Sequence, residues 1–112
     1  MPKQKLNPLP AAAFQILLSL TEEDLHGYGI MRQVAEQTRG RMRLGPGTLY
    51  SSIQSLLEEE FIQEVESPPS KERRRYYRLT PSGRKLARAE AERLADLLRL
   101  ARAKKILRGQ HV

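Results

Sequence analysis

Apolar residues recur at helical spacing in four stretches of the chain, and the first stretch predicts a short helix after Pro10. Its stripe follows the spacing i, i+3, i+4 and i+7 and consists of Ala13, Ile16, Leu17 and Leu20. Phe14 and Leu18 lie on another face, so this helix is apolar nearly all round, as is typical of burial on more than one side. Because 112 residues provide for one modest core, we expect the second face to contact a partner subunit.

Two further helices are predicted on either side of a break at Gly45. One runs from about Gly27 to Thr38, and the next begins at Pro46, whose missing N–H needs no partner in the first helical position. Between them, Leu44 is an isolated apolar residue that is a candidate for a brief strand pairing. The third helix has an apolar stripe and an opposite, mostly uncharged hydrogen-bonding face of Thr48, Ser51, Gln54, Ser55 and Glu58. A merely solvated face would carry Lys and Glu, so this face is expected to contact a partner.

A β-hairpin is predicted after the third helix. Residues 61–66 alternate imperfectly between apolar and polar, residues 67–70 form a Pro- and Ser-rich turn, and residues 74–79 form the second strand. The tip is strongly basic and holds Lys71, Glu72, Arg73, Arg74 and Arg75. A solvated turn is the simpler explanation of such a run, but four basic residues in five favour contact with an anion. Tyr76 and Tyr77 are interpreted as packing residues of the hairpin.

The last stretch predicts a long helix from Pro81 to about Arg108, with Thr80 as its N-cap. Its heptad seam is spaced 4, 3, 4, 3 and consists of Ala87, Ala91, Leu94, Leu98 and Ala101, widened by Leu97 and Leu100. Such a helix is about 40 Å long, whereas a domain of this size is only about 26 Å across. The helix should therefore extend beyond the domain, and a second copy of the chain is the simplest partner to cover its seam. The alternative is that the seam belongs to the core of a single chain. The predicted dimer interface comprises Phe14, Leu18, Ala91, Leu94, Leu97, Leu98 and Ala101.

Charge is divided unevenly along the chain. Residues 1–70 hold six Lys and Arg against nine Asp and Glu, whereas residues 71–112 hold fourteen against four. The net charge of +7 therefore comes from the second part. A basic excess of this kind predicts an anionic partner and places the anion-facing surface at or after Lys71.

The composition disfavours several other classes of function. The chain has no Cys and two His, which excludes thiol chemistry and nearly excludes a zinc site, so we expect no metal and no cofactor. The sequence contains no run of 18 apolar residues, so we expect no membrane-spanning helix. It shows no Gly-rich phosphate loop and no recognisable pairing of nucleophile and base, so we do not expect an enzyme.

Three short helices, a β-hairpin and a long final helix are the element order of a winged helix-turn-helix, a mainly α fold with a β-hairpin wing. The predicted parts are a disordered basic leader (1–8), a DNA-binding domain (9–80) and a C-terminal dimerisation helix (81–108). In this fold the start of the third helix meets base edges in the major groove. The predicted contacts to DNA are Thr48, Tyr50, Ser51 and Gln54 on that helix, Lys71, Arg73, Arg74 and Arg75 on the wing, and Tyr28. For the two tyrosines, packing is the alternative.

Four blocks of sequence resemble the PadR family of transcriptional regulators. They are HGYGI at 26–30, LGPGTLY at 44–50, LLE at 56–58 and RRRYYRLTPSG at 73–83. The blocks stand in the family's order and spacing within residues 9–100, and the combination of GTLY with RRYYRLTPSG is quite specific. The short chain, with one helix after the wing, resembles the compact subgroup of that family.

The resemblance implies a homodimeric repressor that binds double-stranded DNA in the cytoplasm of a prokaryote, dimerised through its last and first helices. It also implies a small aromatic or drug-like ligand, because many relatives respond to such compounds. Relatives that bind planar drugs between subunits use a Trp on the last helix, and this chain has none. Glu60 stands where relatives commonly end the recognition helix with Gly, and a left-handed Glu there would cost about 1 kcal/mol.

Two other functions compete with sequence-specific binding. The basic second part would suit a nonspecific nucleic-acid-binding protein, which would bind scrambled duplex equally well and with a steep salt dependence. The fold would also suit a module that binds other proteins. The uncharged face of the third helix argues against the first function, and the Arg-rich hairpin tip argues against the second.

Overall fold

In a computed structural model that describes residues 6–69 and 73–107, the chain forms four α-helices and one three-stranded sheet. The elements in chain order are α1 (Ala11–Ser19), β1 (Leu25–His26), α2 (Gly27–Gln37), α3 (Pro46–Glu58), β2 (Ile62–Val65), β3 (Tyr76–Leu79) and α4 (Pro81–Ala103). Helices α2 and α3 are the helix-turn-helix pair, and the loop between β2 and β3 is the wing. The winged helix-turn-helix predicted from sequence is therefore confirmed.

The core lies where the first three helices meet the sheet. Its largest fully buried side chains are Ile16, Leu17, Ile30, Val34, Leu49, Leu56 and Ile62. Six of these residues belong to the apolar stripes that the helical spacing predicts, and Ile62 lies on β2. Helix α1 packs on α2, α3 and α4 at once. Leu6, near the end of the predicted leader, is also buried in this core, whereas residues 1–5 lie outside the described residues.

The third strand of the sheet comes from a segment that sequence analysis did not identify. Strand β1 pairs antiparallel with β3, placing Leu25 opposite Tyr77 and His26 opposite Tyr76. Strand β2 pairs with the other edge of β3, so the strand order is β1-β3-β2. The strand pairing predicted for Leu44 is wrong: β1 already occupies the remaining edge of β3, and Leu44 contributes a buried side chain to the core instead.

Helix α3 ends in a Schellman motif whose left-handed residue is Glu60. Glu60 has φ 61°, the amide of Phe61 donates to the carbonyl of Leu56 at 2.9 Å, and the amide of Glu60 donates to Leu57 at 3.0 Å. The carbonyl of Glu60 then accepts the Thr80 hydroxyl at 2.7 Å. The expectation that Glu60 takes the place of a C-terminal glycine is confirmed, and this backbone joins the end of α3 to the start of α4.

Helix α4 begins as predicted and ends earlier. The Thr80 hydroxyl accepts the amide of Gly83 at 3.0 Å, which is the predicted N-cap. The predicted end near Arg108 is wrong, because the helix stops at Ala103. Lys105 adopts φ 63°, and the amide of Ile106 donates to the carbonyl of Ala101 at 3.0 Å, so a second Schellman motif closes the helix.

The second half of α4 extends beyond the packed domain. Every residue from 91 to 100 is exposed, including Leu94 and Leu98, which are each 40% exposed. The radius of gyration is 15.6 Å, compared with about 13 Å for a compact domain of this length. The chain by itself therefore buries the predicted heptad seam at Ala87, which belongs to the core, and leaves the part from Ala91 to Leu98 uncovered.

Candidate nucleic-acid interface

The four predicted base-reading residues lie together on the solvent side of α3. Thr48, Tyr50, Ser51 and Gln54 are all exposed, while Leu49 on the opposite side is fully buried. The apolar stripe fixes the rotation of the helix about its axis, so the hydrogen-bonding face points outward from a rigid element. Hydroxyl and amide groups of this kind match the donors and acceptors on base edges in the major groove.

Gln54 has a local partner on the same face of the helix. Its Nε2 donates to Oε2 of Glu58 at 3.4 Å, one helical turn further on. This contact orients the amide group and places a carboxylate at the C-terminal end of the exposed face. Because DNA phosphates repel a carboxylate, Glu58 marks the C-terminal limit of the surface suited to base contacts, which extends from Thr48 to Gln54.

A cleft of about 650 Å³ separates the start of α2, the exposed face of α3 and the wing. It is lined by His26, Gly27, Tyr28, Tyr50, Arg74, Arg75 and Tyr77. The Tyr50 ring lies in this cleft and is 52% exposed, so it is not part of the core. A Cβ atom added to Gly27 would lie 2.4 Å from the Tyr50 hydroxyl oxygen, so glycine is needed for this position of the ring.

His26 links the wing to the start of α2. Its Nδ1 accepts the amide of Gly29 at 3.0 Å and caps the helix. The Arg74 guanidinium lies 3.0 Å from Nε2 of the same ring, and the Tyr76 ring meets it edge-on at 5.2 Å. A helix N-terminus carries a partial positive charge, so Arg74 and the α2 backbone together make this end of the cleft attractive to an anion such as a phosphate.

The two tyrosines of β3 are buried, in agreement with the interpretation that they pack the hairpin. Burial raises the pKa of Tyr77 above its ordinary value, and the nearby carboxylate of Glu64 raises this pKa further. The phenol therefore keeps its proton at neutral pH. Tyr77 lines the cleft, where its phenol makes a side-chain hydrogen bond with Arg75 of the wing.

The wing presents three consecutive arginines to solvent. Arg73, Arg74 and Arg75 are all exposed, while Lys71, which was predicted beside them, lies outside the described residues. Arg75 is 3.9 Å from Glu64 in an exposed pair, an interaction that contributes little. Arg78, by contrast, binds Asp24 through two nitrogens at 3.1 and 2.8 Å and is directed toward its own chain.

A second group of exposed arginines was missed by sequence analysis. Arg39, Arg41 and Arg43, the turn arginines, occupy the segment between α2 and α3 and are all exposed. Their positive charge does not appear in the net charge of residues 1–70, which is negative. A shorter window would have found them, since residues 37–57 contain no Asp or Glu.

The predicted dimer residues fall into two groups. Phe14 and Leu18 on α1 are partly buried. On α4, exposure is high at Ala91, Leu94, Leu97 and Leu98 and intermediate at Ala101. All seven positions thus retain accessible surface in the single chain.

No helix within 6–69 and 73–107 is long and apolar enough to cross a membrane. The same residues contain no cluster of His, Cys, Asp and Glu that could hold a metal ion.

One curated relative is a 37.1 kDa protein in transposon TN4556 of Streptomyces fradiae. It is 38% identical to this chain over 86 residues, which are 77% of this chain and 24% of the relative. The chain thus spans about a quarter of the length of the curated protein that it matches.

Solved structures show the same fold. A transcriptional regulator from Clostridium thermocellum is 27% identical, with a TM-score of 0.70 and coverage of 81% of this chain and 89% of the other. A PadR family regulator from Clostridium difficile is 23% identical, with a TM-score of 0.73 and coverage of 84% and 97%. Bacillus subtilis PadR, solved with operator DNA, is 23% identical, with a TM-score of 0.62 and coverage of 72% and 46%.

The family model of the PadR-like transcriptional regulators matches residues 16–89, which is most of the chain. This span runs from α1 through the helix-turn-helix and the wing into α4, and it contains all four sequence blocks. The chain therefore belongs to the PadR-like family of transcriptional regulators.

Proposed function

We propose that this chain is a sequence-specific DNA-binding transcriptional regulator. The observation that carries the proposal is the exposed, uncharged hydrogen-bonding face at the start of α3, which stands beside the exposed arginines of the wing. Base edges require donors and acceptors at fixed positions, whereas phosphates require charge. The chain separates these two properties onto two neighbouring surfaces.

Each surface has a distinct task in the proposed complex. Thr48, Ser51 and Gln54 read base edges in the major groove, and a Gln amide is suited to adenine. Arg73, Arg74 and Arg75 hold the phosphate backbone, and Lys71 belongs to the same basic run in the sequence. The cleft between them binds a phosphate through Arg74, the start of α2 and the hydroxyls of Tyr28 and Tyr50. Bacillus subtilis PadR, which has this fold, was solved in complex with operator DNA, and this supports the assignment.

The functional unit we propose is a homodimer formed by α4 and α1. The uncovered seam of α4 supports it, because exposed leucines spaced as a heptad gain stability when a second copy buries them. Phe14 and Leu18 would extend the interface from α1. A two-fold dimer presents two copies of α3 and should recognise a pseudo-palindrome with half-sites about 34–36 Å apart.

Repression by occlusion of a promoter is the regulatory mechanism that we propose, with the protein acting in the cytoplasm where the DNA of a prokaryote lies. A small aromatic or drug-like ligand would release the operator by changing the separation of the two α3 helices. Such a ligand must bind one dimer geometry more tightly than the other, because equal affinity would shift nothing. Equilibrium dialysis with and without operator would measure that difference.

Selection from a random duplex pool tests the proposal without knowledge of the operator. Repeated rounds of binding and amplification should enrich a two-fold related motif with half-sites about one helical turn apart. A pool that stays random while still binding would instead establish a nonspecific nucleic-acid-binding protein. A pool that never binds would favour a module for protein contacts.

A further inference from the structure

The turn arginines form a dense group of positive charge on the described surface. Arg39, Arg41 and Arg43 are exposed, and none of them has an ion pair with an acidic residue in the described part of the chain. The stretch 37–57, which contains the turn and most of α3, carries these three positive charges and no negative one. Three positive charges within five residues lack a compensating negative charge on the same stretch, so the group is suited to an anionic partner.

The backbone that carries these arginines is held in place by its own hydrogen bonds. The Thr38 hydroxyl accepts the amide of Met42 at 2.9 Å, and the amide of Gly40 donates to Ala35 at 2.7 Å. Arg39 and Gly40 both adopt left-handed backbone, with φ 54° and 78°. A turn fixed in this way loses little backbone freedom on binding, which favours its use as a docking surface.

The turn stands at the end of α2 that is remote from the wing. The wing arginines meet α2 at its start, through the contact of Arg74 with His26. Helix α2 has 11 residues and therefore separates the two arginine groups by about 16 Å. The major groove is about 12 Å wide and is bounded on each side by phosphates. The turn also leads directly into α3, because Arg43 lies two residues before the N-cap Gly45.

We propose that the turn arginines are a second phosphate clamp, which holds the DNA backbone on the side of α3 away from the wing. The inference rests on the proposed function and adds a contact surface that the wing does not provide. Arginine suits this task because its planar guanidinium can donate two parallel hydrogen bonds to one phosphate. The clamp fixes the register of α3 in the groove from its N-terminal end.

The test compares two double variants of the full-length chain by fluorescence anisotropy over a series of salt concentrations. Arg41→Gln with Arg43→Gln removes two positive charges from the turn. Lys85→Gln with Arg88→Gln removes two from exposed positions on α4 that have no ion pair within the described residues and serves as the matched control. Arg39 is left unchanged because its left-handed backbone gives it a structural role. Circular dichroism and thermal unfolding of each variant establish that it is folded.

The logarithm of the association constant falls linearly with the logarithm of the salt concentration. Removal of one phosphate contact should make this negative slope shallower by about 0.9, which corresponds to a factor of about five in Kd at 0.15 M salt. The turn variant should therefore bind at least about 25-fold more weakly, on selected and scrambled duplex alike. Arg41→Lys with Arg43→Lys should restore most of the slope. The α4 variant should bind as the wild type does.

The outcomes separate the inference from the proposed function. If the wild type binds its selected duplex and the turn variant keeps both its Kd and its salt slope, the clamp is refuted while the proposed function stands. An equal weakening in the α4 variant would also refute the clamp, since net charge alone would then explain the effect. If the wild type binds no duplex, both proposals fail.

Discussion

Gly83 allows α4 to begin directly against the backbone of Phe61, just before β2, and its replacement by Ala tests how much the domain depends on that approach. A Cβ atom at this position would lie 2.0 Å from the carbonyl oxygen of Phe61 and 2.9 Å from Cδ1 of Leu79. The nearer atom belongs to the backbone, so a side-chain rotation cannot relieve the overlap. The start of α4 would have to move away by about 1 Å or more, because packed atoms do not interpenetrate.

That movement would strain three hydrogen bonds at the junction. The amide of Thr80 donates to Phe61 at 3.1 Å, and the hydroxyls of Thr80 and Ser82 donate to the Glu60 carbonyl at 2.7 and 3.1 Å. Overpacking costs about 1–3 kcal/mol and each weakened bond about 0.5–1.5 kcal/mol, while Ala in a helix regains about 1 kcal/mol over Gly. Taken over three bonds, these terms predict that the free energy of unfolding falls by about 1.5–6.5 kcal/mol and that Tm falls by about 6 °C or more.

Thermal unfolding followed by circular dichroism measures this change, with every protein at the same concentration because a dimer's Tm depends on it. Gly47→Ala is the matched control, since Gly47 also lies in the first turn of a helix but has nothing within 4 Å of its added Cβ. The control should gain about 0.4–1 kcal/mol. If Gly83→Ala kept the wild-type Tm or rose with the control, the close approach of α4 to Phe61 would not be a requirement of the fold.

Three other substitutions test different parts of the structure. Glu60→Gly should raise the free energy of unfolding by about 0.5–1 kcal/mol by removing left-handed strain, as measured in urea, and a lower stability would contradict the strain. Gln54→Ala should reduce the free energy of binding by about 1–3 kcal/mol on the selected duplex alone, whereas Arg74→Ala should weaken binding to all duplexes alike. If the two variants gave identical anisotropy profiles, the roles of base reader and phosphate contact would be wrongly assigned. Leu98→Asp should convert the dimer to a monomer, because it places a charge in the apolar seam, whereas Lys85→Asp should leave the dimer intact. Light scattering measures the molar mass, and an unchanged mass for Leu98→Asp would exclude the α4 interface.

Much of the fold could be predicted because apolar spacing and capping residues agree along the chain. Thr80 and Pro81 mark the start of α4, and the stripe containing Leu49 and Ile53 marks the buried side of α3. Once that side is known, the exposed face of α3 follows directly, since the two faces alternate with the helical period. The candidate base-reading residues were therefore accessible from sequence.

The remaining features depend on contacts between distant segments. Strand β1 has two residues, which is too short to show alternation, and it exists because residues 25 and 26 meet β3. The contact between His26 and Arg74 joins positions that are 48 residues apart. The turn arginines were not predicted as a basic surface for another reason. Acidic residues on both sides of them make the net charge of residues 1–70 negative.

The most direct test of DNA reading by α3 is an anisotropy titration of the wild-type chain at about 0.15 M salt, where nonspecific binding is weak. One duplex carries the sequence enriched from the random pool, and the other carries the same bases scrambled. We expect nanomolar affinity for the first, at least about 1000-fold tighter than for the second, as is typical of specific recognition. Equal Kd values for the two duplexes would contradict sequence reading by α3 and leave only binding of the phosphate backbone.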